Sequence, residues 1–391
     1  MKRCLLILLA VAGLWSGLAC AQSTPAQPEI AARSYLLLDL TSDQELAARE
    51  ADTPVPPASL TKLMTAYLVF DALRLGKLDL AQKLPVSELA QRQPGSRMFL
   101  QAGSKVPVED LIKGLLVQSG NDAAIALAEG TAGSVERFVQ LMNEQAQALG
   151  MKSSRFANPM GLPQAGHAST AHDLAVLATR LLRDFPDHAH FFALRKYRYE
   201  GTPPANDSNR NLLLFRDPSV DGLKTGHSEA AGYCMIATAQ RTFPNLGADG
   251  APGVRRLLAI VLGAESENAR ATETQKLLNW GYTAFEAVKL FDANQAVLSP
   301  AIWKGQSARV PLGRPRPIVV TIPAGAAARL RVQAVRPDPL VAPLAKGQRA
   351  GTLKVYLGER TLSDIPLLAL ESVDRAGLLG RAWDAFRLWI Q

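Results

Sequence analysis

The chain has 391 residues, 48% of them hydrophobic, with 29 glycines and 25 prolines, a composition that supports more than one cored domain and excludes a disordered or fibrous protein. Its formal charge of +8 is spread along the sequence and forms no basic tract. That leaves no nucleic-acid signature and weakly favours an anionic surface such as lipid or cell wall.

Met1-Lys2-Arg3, an apolar run from Leu5 to about Leu18, and Ala19-Cys20-Ala21 before Gln22 read as a cleavable export signal over residues 1–21. A lipid-bearing Cys20 is the alternative, although Gly17 and Leu18 make a poor lipobox, and the run is too short for a retained transmembrane helix. With Cys4 and Cys20 in the signal, Cys234 stands alone in the mature chain. No intramolecular disulfide is then possible, and its apolar, β-branched surroundings make Cys234 a small core side chain rather than a nucleophile.

From Ser34, Tyr35 to Leu40 and Glu45 to Ala48 predict two strands joined by a tight turn. Prolines 54, 56 and 57 hold the next stretch extended, and Ser59 to Leu75 is apolar almost all round, as a buried helix is. Helical patterns follow over Val108 to Glu129, Val135 to Leu149 and Ala171 to Leu182. The character changes after Asp217-Pro218: Val220 to Gly226, Gly232 to Arg241 and Arg255 to Gly263 predict strands of an antiparallel sheet, and Thr272 to Ala287 returns to helical spacing. The reading is an α+β catalytic domain over residues 30–287, with a helical subdomain inserted between Lys62 and about Pro204 and the cleft at their junction. Short apolar runs punctuated by proline and glycine then predict a small β-rich domain over residues 288–374.

Residues 375–391 form an amphipathic helix. Leu378, Leu379, Ala382, Trp383, Phe386, Trp389 and Ile390 gather on one side, opposite Arg381, Asp384, Arg387 and Gln391. At about 24 Å it is too short to span a bilayer, but its tryptophans and arginines suit an interfacial anchor. The competing reading is a helix docked on the β-domain.

Three clusters carry chemistry. Ser59-Leu60-Thr61-Lys62 puts a hydroxyl and an amine one helical turn apart, where a lysine kept uncharged by burial or nearby positive charge serves as the base that serine needs. Alone the pattern is weak, since an N-capping serine with a surface lysine looks the same. Ser119-Gly120-Asn121 falls at a break between helical stretches, and Lys224-Thr225-Gly226 ends a strand where glycine admits close approach of another backbone. Each also has a bland reading, as a capping loop and as an ordinary strand end.

Pro57 to Lys62, Ser119 to Asn121 and Asp221 to His227, in this order and spacing, resemble the low-molecular-mass penicillin-binding proteins of the penicillin-binding protein 5 type, which are D-Ala-D-Ala carboxypeptidases. Supporting stretches are Asn158 to Leu162, Ser169 to Leu174, Asn209 to Asn211 and Lys276 to Tyr282, and the likeness runs from about Arg33 to the C-terminus.

The resemblance implies a β-lactamase/transpeptidase-like catalytic fold. It implies that Ser59 attacks the penultimate D-alanine carbonyl, Lys62 takes its proton and Ser119 relays one to the departing D-alanine. Asn121 then orients the substrate amide, Lys224 and Thr225 line the opposite wall beside Gly226, Arg270 helps hold the carboxylate, and backbone N–H groups of Ser59 and His227 form the oxyanion hole. No metal or organic cofactor enters. The implied partners are peptidoglycan stem pentapeptides, β-lactams as inhibitors, and the periplasmic face of the inner membrane, reached through the terminal helix.

Met160 stands where some relatives carry histidine, a variation expected to tune deacylation. A class A β-lactamase is disfavoured because Met151 to His172 contains no acid to serve as its deacylating base, so drug release should be slow. A metallopeptidase built on His188 and His190 is disfavoured because i and i+2 point apart on a helix. A non-catalytic wall-binding protein would have no use for all three clusters.

Overall fold

The computed structural model describes residues 25–389. The expected signal segment, with Cys4 and Cys20, and the side chains of Leu388, Ile390 and Gln391 lie outside what is described.

One five-stranded antiparallel sheet organises the first two thirds of the chain, in the order Gln44–Arg49, Ser34–Asp39, Gly253–Ala264, Gly232–Phe243, Val220–Ser228. Alternate residues of a strand face opposite sides, and here both sides are covered. Leu36, Leu258, Ile260, Cys234 and Ile236 join the core beneath the helical region. Leu37, Leu257, Ala259, Val261, Met235 and Ala237 pack under the Glu267–Ala284 helix. Cys234 is fully buried in the first of these cores.

The expected helix after the prolines is a short 3-10 turn, Ala58–Thr61, running into the α-helix Lys62–Arg74, which is buried nearly all round. It is wrapped by Asn121–Ala132, Val135–Leu149 and Ala171–Asp184. The last of these carries a Thr170 cap on the Asp173 N–H, where a side-chain oxygen satisfies an otherwise unpaired donor. His188 and His190 lay their rings on Phe70 and Phe191 respectively.

Two expected helices differ from the sequence reading, and the first, over Val108 to Glu129, is two helices, Val108–Lys113 and Asn121–Ala132, separated by a π-helical turn at Gly114–Gln118. The helix expected over Thr272 to Ala287 runs from Glu267 to Ala284, and Phe285–Phe291 is a strand paired antiparallel with Ile318–Pro323. Phe285 continues the helical spacing of Leu278 and Tyr282, while Val288 and Leu290 alternate as in a strand, and the cross-strand partner decides it.

The C-terminal region builds a second five-stranded sheet, in the order Leu330–Val335, Arg349–Leu357, Arg360–Ala369, Leu312–Gly313, Ala296–Leu298, over its own core of Val310, Leu312, Leu353, Val355 and Leu367. Polar bonds join it to the catalytic domain. Gln44 exchanges two hydrogen bonds with the Thr321 backbone, at 3.0 and 2.6 Å. Thr321 Oγ1 donates to Asp39 at 2.7 Å, and Asp39 in turn accepts from Arg255 Nε at 2.7 Å. Arg255 and Asp39 are both fully buried, and Arg255 also donates to the Phe285 carbonyl. Asp39→Ala would strand a buried guanidinium. It is expected to destabilise the protein by about 3–5 kcal/mol, read as a fall in Tm, and a second change of Arg255→Met should recover most of the loss.

Candidate active site

Three pieces of backbone meet at one end of the sheet. The edge strand Val220–Ser228 presses Gly226 against the Ala58–Thr61 turn: a Cβ built on Gly226 would lie 3.1 Å from the Pro57 carbonyl and 3.2 Å from the Ser59 nitrogen. From the other side, a Cβ on Gly161 would fall 1.8 Å from the Ala58 carbonyl, and its φ of +90° suits glycine alone. The third piece follows a π-helical turn, Gly114–Gln118, after which Ser119 adopts a left-handed conformation with φ of 60°. The close-approach role read for Gly226 is met by the protein's own Ser59 segment.

Lys62 Nζ sits at the centre of the arrangement. It is 3.0 Å from Ser59 Oγ, 2.8 Å from Asn121 Oδ1 and 2.7 Å from the Met160 carbonyl oxygen. Asn121 is held the right way round because its Nδ2 donates to the Pro94 carbonyl at 2.6 Å. A neutral amine has two N–H donors and one lone pair. The two fixed oxygen acceptors use the donors, and the lone pair is left for the Ser59 hydroxyl.

The electrostatics agree. Burial pulls the Lys62 pKa down to about 7; Asp122 opposes this and Arg210 assists it. Asp122 is itself tied down by N–H donors from Met98, Leu100 and Ala123.

A second hydroxyl and amine face the first pair. Lys224 Nζ is 2.9 Å from Ser119 Oγ and 3.0 Å from the Thr225 carbonyl. Burial, with Lys62, Arg210 and Arg270 nearby, drives its pKa well below the ordinary lysine value. In front of these groups opens a cavity of about 260 Å³ lined by Ser59, Ser119, Thr225, Gly226, His227 and Arg270, together with Ser96, Arg210, Tyr233 and Glu267. Lys62, Asn121 and Lys224 are buried behind the wall, which shields the two amines from water.

Arg270 lies almost wholly buried on the cavity floor. Its Nη2 pairs with Glu267 at 2.6 Å, and among the described residues its Nε has no hydrogen-bond partner. His227 stacks on Tyr233 with ring centroids 4.0 Å apart.

All nine residues singled out from sequence therefore converge on one place. Sequence reasoning gave no role to Arg210, which it met only inside the supporting stretch Asn209 to Asn211 and which lines the cavity and supplies positive potential, and it passed over Glu267, the carboxylate on Arg270. The Met160 carbonyl was also missed, because a main-chain acceptor has no sequence signal. The loop bearing it is pinned to the Ser59 segment by further bonds: Thr65 Oγ1 donates to the Pro159 carbonyl at 2.7 Å, and Thr61 Oγ1 lies 2.9 Å from His167 Nε2. Burial lowers the His167 pKa to about 4, so the ring is neutral near pH 7.

A serine hydroxyl held against the lone pair of a buried amine, at the mouth of a polar cleft, is equipped for acyl transfer through a serine ester. The class is that of serine peptidases with a lysine base. Comparison with known proteins narrows it: the chain belongs to the D-alanyl-D-alanine carboxypeptidase family, whose profile matches residues 21–264. The profile of the penicillin-binding protein 5 C-terminal domain matches residues 285–375.

Among curated relatives, D-alanyl-D-alanine carboxypeptidase DacC of Escherichia coli is 38% identical over 93% of this chain and 90% of its own length. DacF of Bacillus subtilis is 32% identical over 89% and 87%. Penicillin-binding protein 5 of Haemophilus influenzae, a solved structure, superposes with a TM-score of 0.80 at 33% identity, covering 90% of this chain and 99% of that one. Penicillin-binding protein D2 of Listeria monocytogenes, solved with cefotaxime bound, gives a TM-score of 0.57 at 31% identity over 66% and 99%.

Proposed function

We propose that this chain removes the terminal D-alanine from peptidoglycan stem pentapeptides through an ester on Ser59, and that β-lactams acylate the same oxygen. The observation that carries this is the Lys62 amine: buried, with two fixed acceptors for its N–H groups and its remaining position 3.0 Å from Ser59 Oγ.

Ser59 Oγ attacks the carbonyl carbon of the penultimate D-alanine and its proton passes to Lys62. The C–N bond then breaks, and the departing amine takes a proton delivered through Ser119 and Lys224. Water cleaves the ester, regenerating the Ser59 hydroxyl and releasing the shortened peptide as a carboxylate. Thr225 and Arg270 receive the terminal carboxylate, Asn121 orients the amide, and the Ser59 and His227 N–H groups stabilise the oxyanion.

Incubating the purified chain with a stem pentapeptide should release one D-alanine per peptide. A fluorescent penicillin should leave a label that maps to Ser59. Absence of both would end this reading. Glu267 already neutralises Arg270, so an incoming carboxylate competes with it. Glu267→Gln is accordingly expected to lower KM for the pentapeptide about threefold to tenfold, with kcat little changed.

Attachment to the periplasmic face of the inner membrane forms part of the proposal, with residues 1–21 removed on export and the β-rich domain holding the cleft away from the membrane. The Leu378–Trp389 helix meets the β-domain by its polar side: Asp384 accepts from the Lys304 N–H at 2.7 Å, and the Arg387 guanidinium lies over the Trp303 ring. Its apolar side faces outward, with Leu379 90% and Trp389 82% exposed and Leu378, Trp383 and Phe386 exposed as well. That orientation favours the anchor over the docked helix, because a helix docked for its own stability would bury this face. Among the described residues no helix is long and apolar enough to cross a membrane, and the attachment proposed is a peripheral one through the apolar face of the terminal helix. Ending the chain after Val373 should abolish binding to phosphatidylcholine vesicles while leaving turnover of soluble pentapeptide unchanged.

A further inference from the structure

Resolved by domain, the charge is not evenly spread. Residues 285–391 carry fifteen lysines and arginines against eight acids, so nearly all of the excess belongs to the β-domain and helix. Part of it converges. Where the terminal helix begins, a groove of about 450 Å³ opens between helix and β-domain, walled by Lys304, Arg375 and Arg381 with Leu378, Ala382 and Val341 beside them.

The backbone fixes the cations in place. The Lys304 carbonyl accepts from the Ala376 N–H at 2.8 Å, Gly305 bridges to Arg375, and Arg381 belongs to the helix that Asp384 ties to the Lys304 N–H. None of the three side chains has an ion pair among the described residues. Three like charges around one groove repel one another, and an anion between them relieves that repulsion.

We propose that this groove seats the phosphate of an anionic phospholipid. This rests on the anchor reading above. With the apolar face of the helix at the boundary of headgroups and acyl chains, the groove lies at headgroup level. Leu378, 77% exposed, stands at its lip on the membrane side. The phosphate meets Lys304, Arg375 and Arg381, and the glycerol and first methylenes lie along Leu378 and Ala382. The helix supplies adhesion to any bilayer. The groove supplies a preference for anionic lipid and fixes the β-domain, and with it the catalytic cleft, at one angle to the membrane.

The test is co-sedimentation of the mature chain with vesicles of phosphatidylcholine alone and with phosphatidylglycerol added. Each basic residue near an anionic surface strengthens binding about fivefold, so the wild type should bind the mixed vesicles at least tenfold more tightly. Lys304→Gln with Arg375→Gln and Arg381→Gln should lose that preference and keep its binding to phosphatidylcholine, its Tm and its turnover of soluble pentapeptide. Trp383→Ser with Phe386→Ser should lose binding to both vesicles, and a wild type that binds neither overturns the anchor reading itself. The groove is overturned on its own if the wild type binds both vesicles equally, or if Arg349→Gln with Lys354→Gln, distant on the β-sheet, removes the preference as fully as the groove variant does. It is likewise overturned as a lipid site if millimolar inorganic phosphate displaces the protein from mixed vesicles more than sodium chloride of equal ionic strength, since the groove then takes free phosphate.

Discussion

Ser59→Ala is expected to reduce D-alanine release by at least about 10⁴-fold and to abolish the penicillin label. Removing the nucleophile of a serine peptidase leaves only the catalysis that positioning and the oxyanion donors provide, and no other hydroxyl occupies its place. Ser119 is held instead by Lys224 on the opposite wall. The variant should fold normally, because among the described residues the only side-chain bond lost is the one to Lys62. It should also bind the pentapeptide without turning it over. Labelling on Ser119, or turnover within tenfold of wild type, would sink the assignment.

The second large effect concerns the base. Lys62→Arg puts a permanent positive charge where the active form holds a neutral amine and removes the proton acceptor, since a guanidinium does not deprotonate in this range. Acylation by penicillin should fall by roughly 10²–10⁴-fold, the usual contribution of general base catalysis. In the wild type, burial has brought the amine's pKa down to about 7. Below that pH the amine is protonated and cannot accept from Ser59; above it the amine is free. The second-order acylation rate should therefore rise with pH through about 7 and level off, and this limb should be missing from the Lys62→Arg variant.

Neighbouring charges give the same limb a direction. Arg210 lowers the pKa and Asp122 raises it, so Arg210→Gln should move the limb to higher pH. A profile flat from pH 5 to 9, or an arginine variant that acylates as the wild type does, would refute a neutral lysine base.

Much of this protein is legible in its residues. The N-terminal hairpin, the buried helix after Ser59 and the strands around Lys224 follow from periodicity and breakers, since each satisfies its local preferences and its burial at once. The Phe285–Phe291 segment does not: its pattern fits helix or strand, and pairing with Ile318–Pro323 settles the matter. For the terminal helix the wheel displayed an apolar face, while its direction outward depends on Asp384 and Arg387 finding partners in the β-domain.

The amino-acid sequence by itself determined which groups are present, their order, and the family to which they belong. Tertiary structure alone made Lys62 fit for the proposed role of base: burial removes the water that would stabilise its charged form, and two oxygens from distant segments, Asn121 and the Met160 carbonyl, leave its lone pair for Ser59. It also placed Glu267 on Arg270 and gathered Lys304, Arg375 and Arg381 around one groove. Dielectric surroundings and main-chain acceptors belong to the packed molecule, and no linear pattern encodes them.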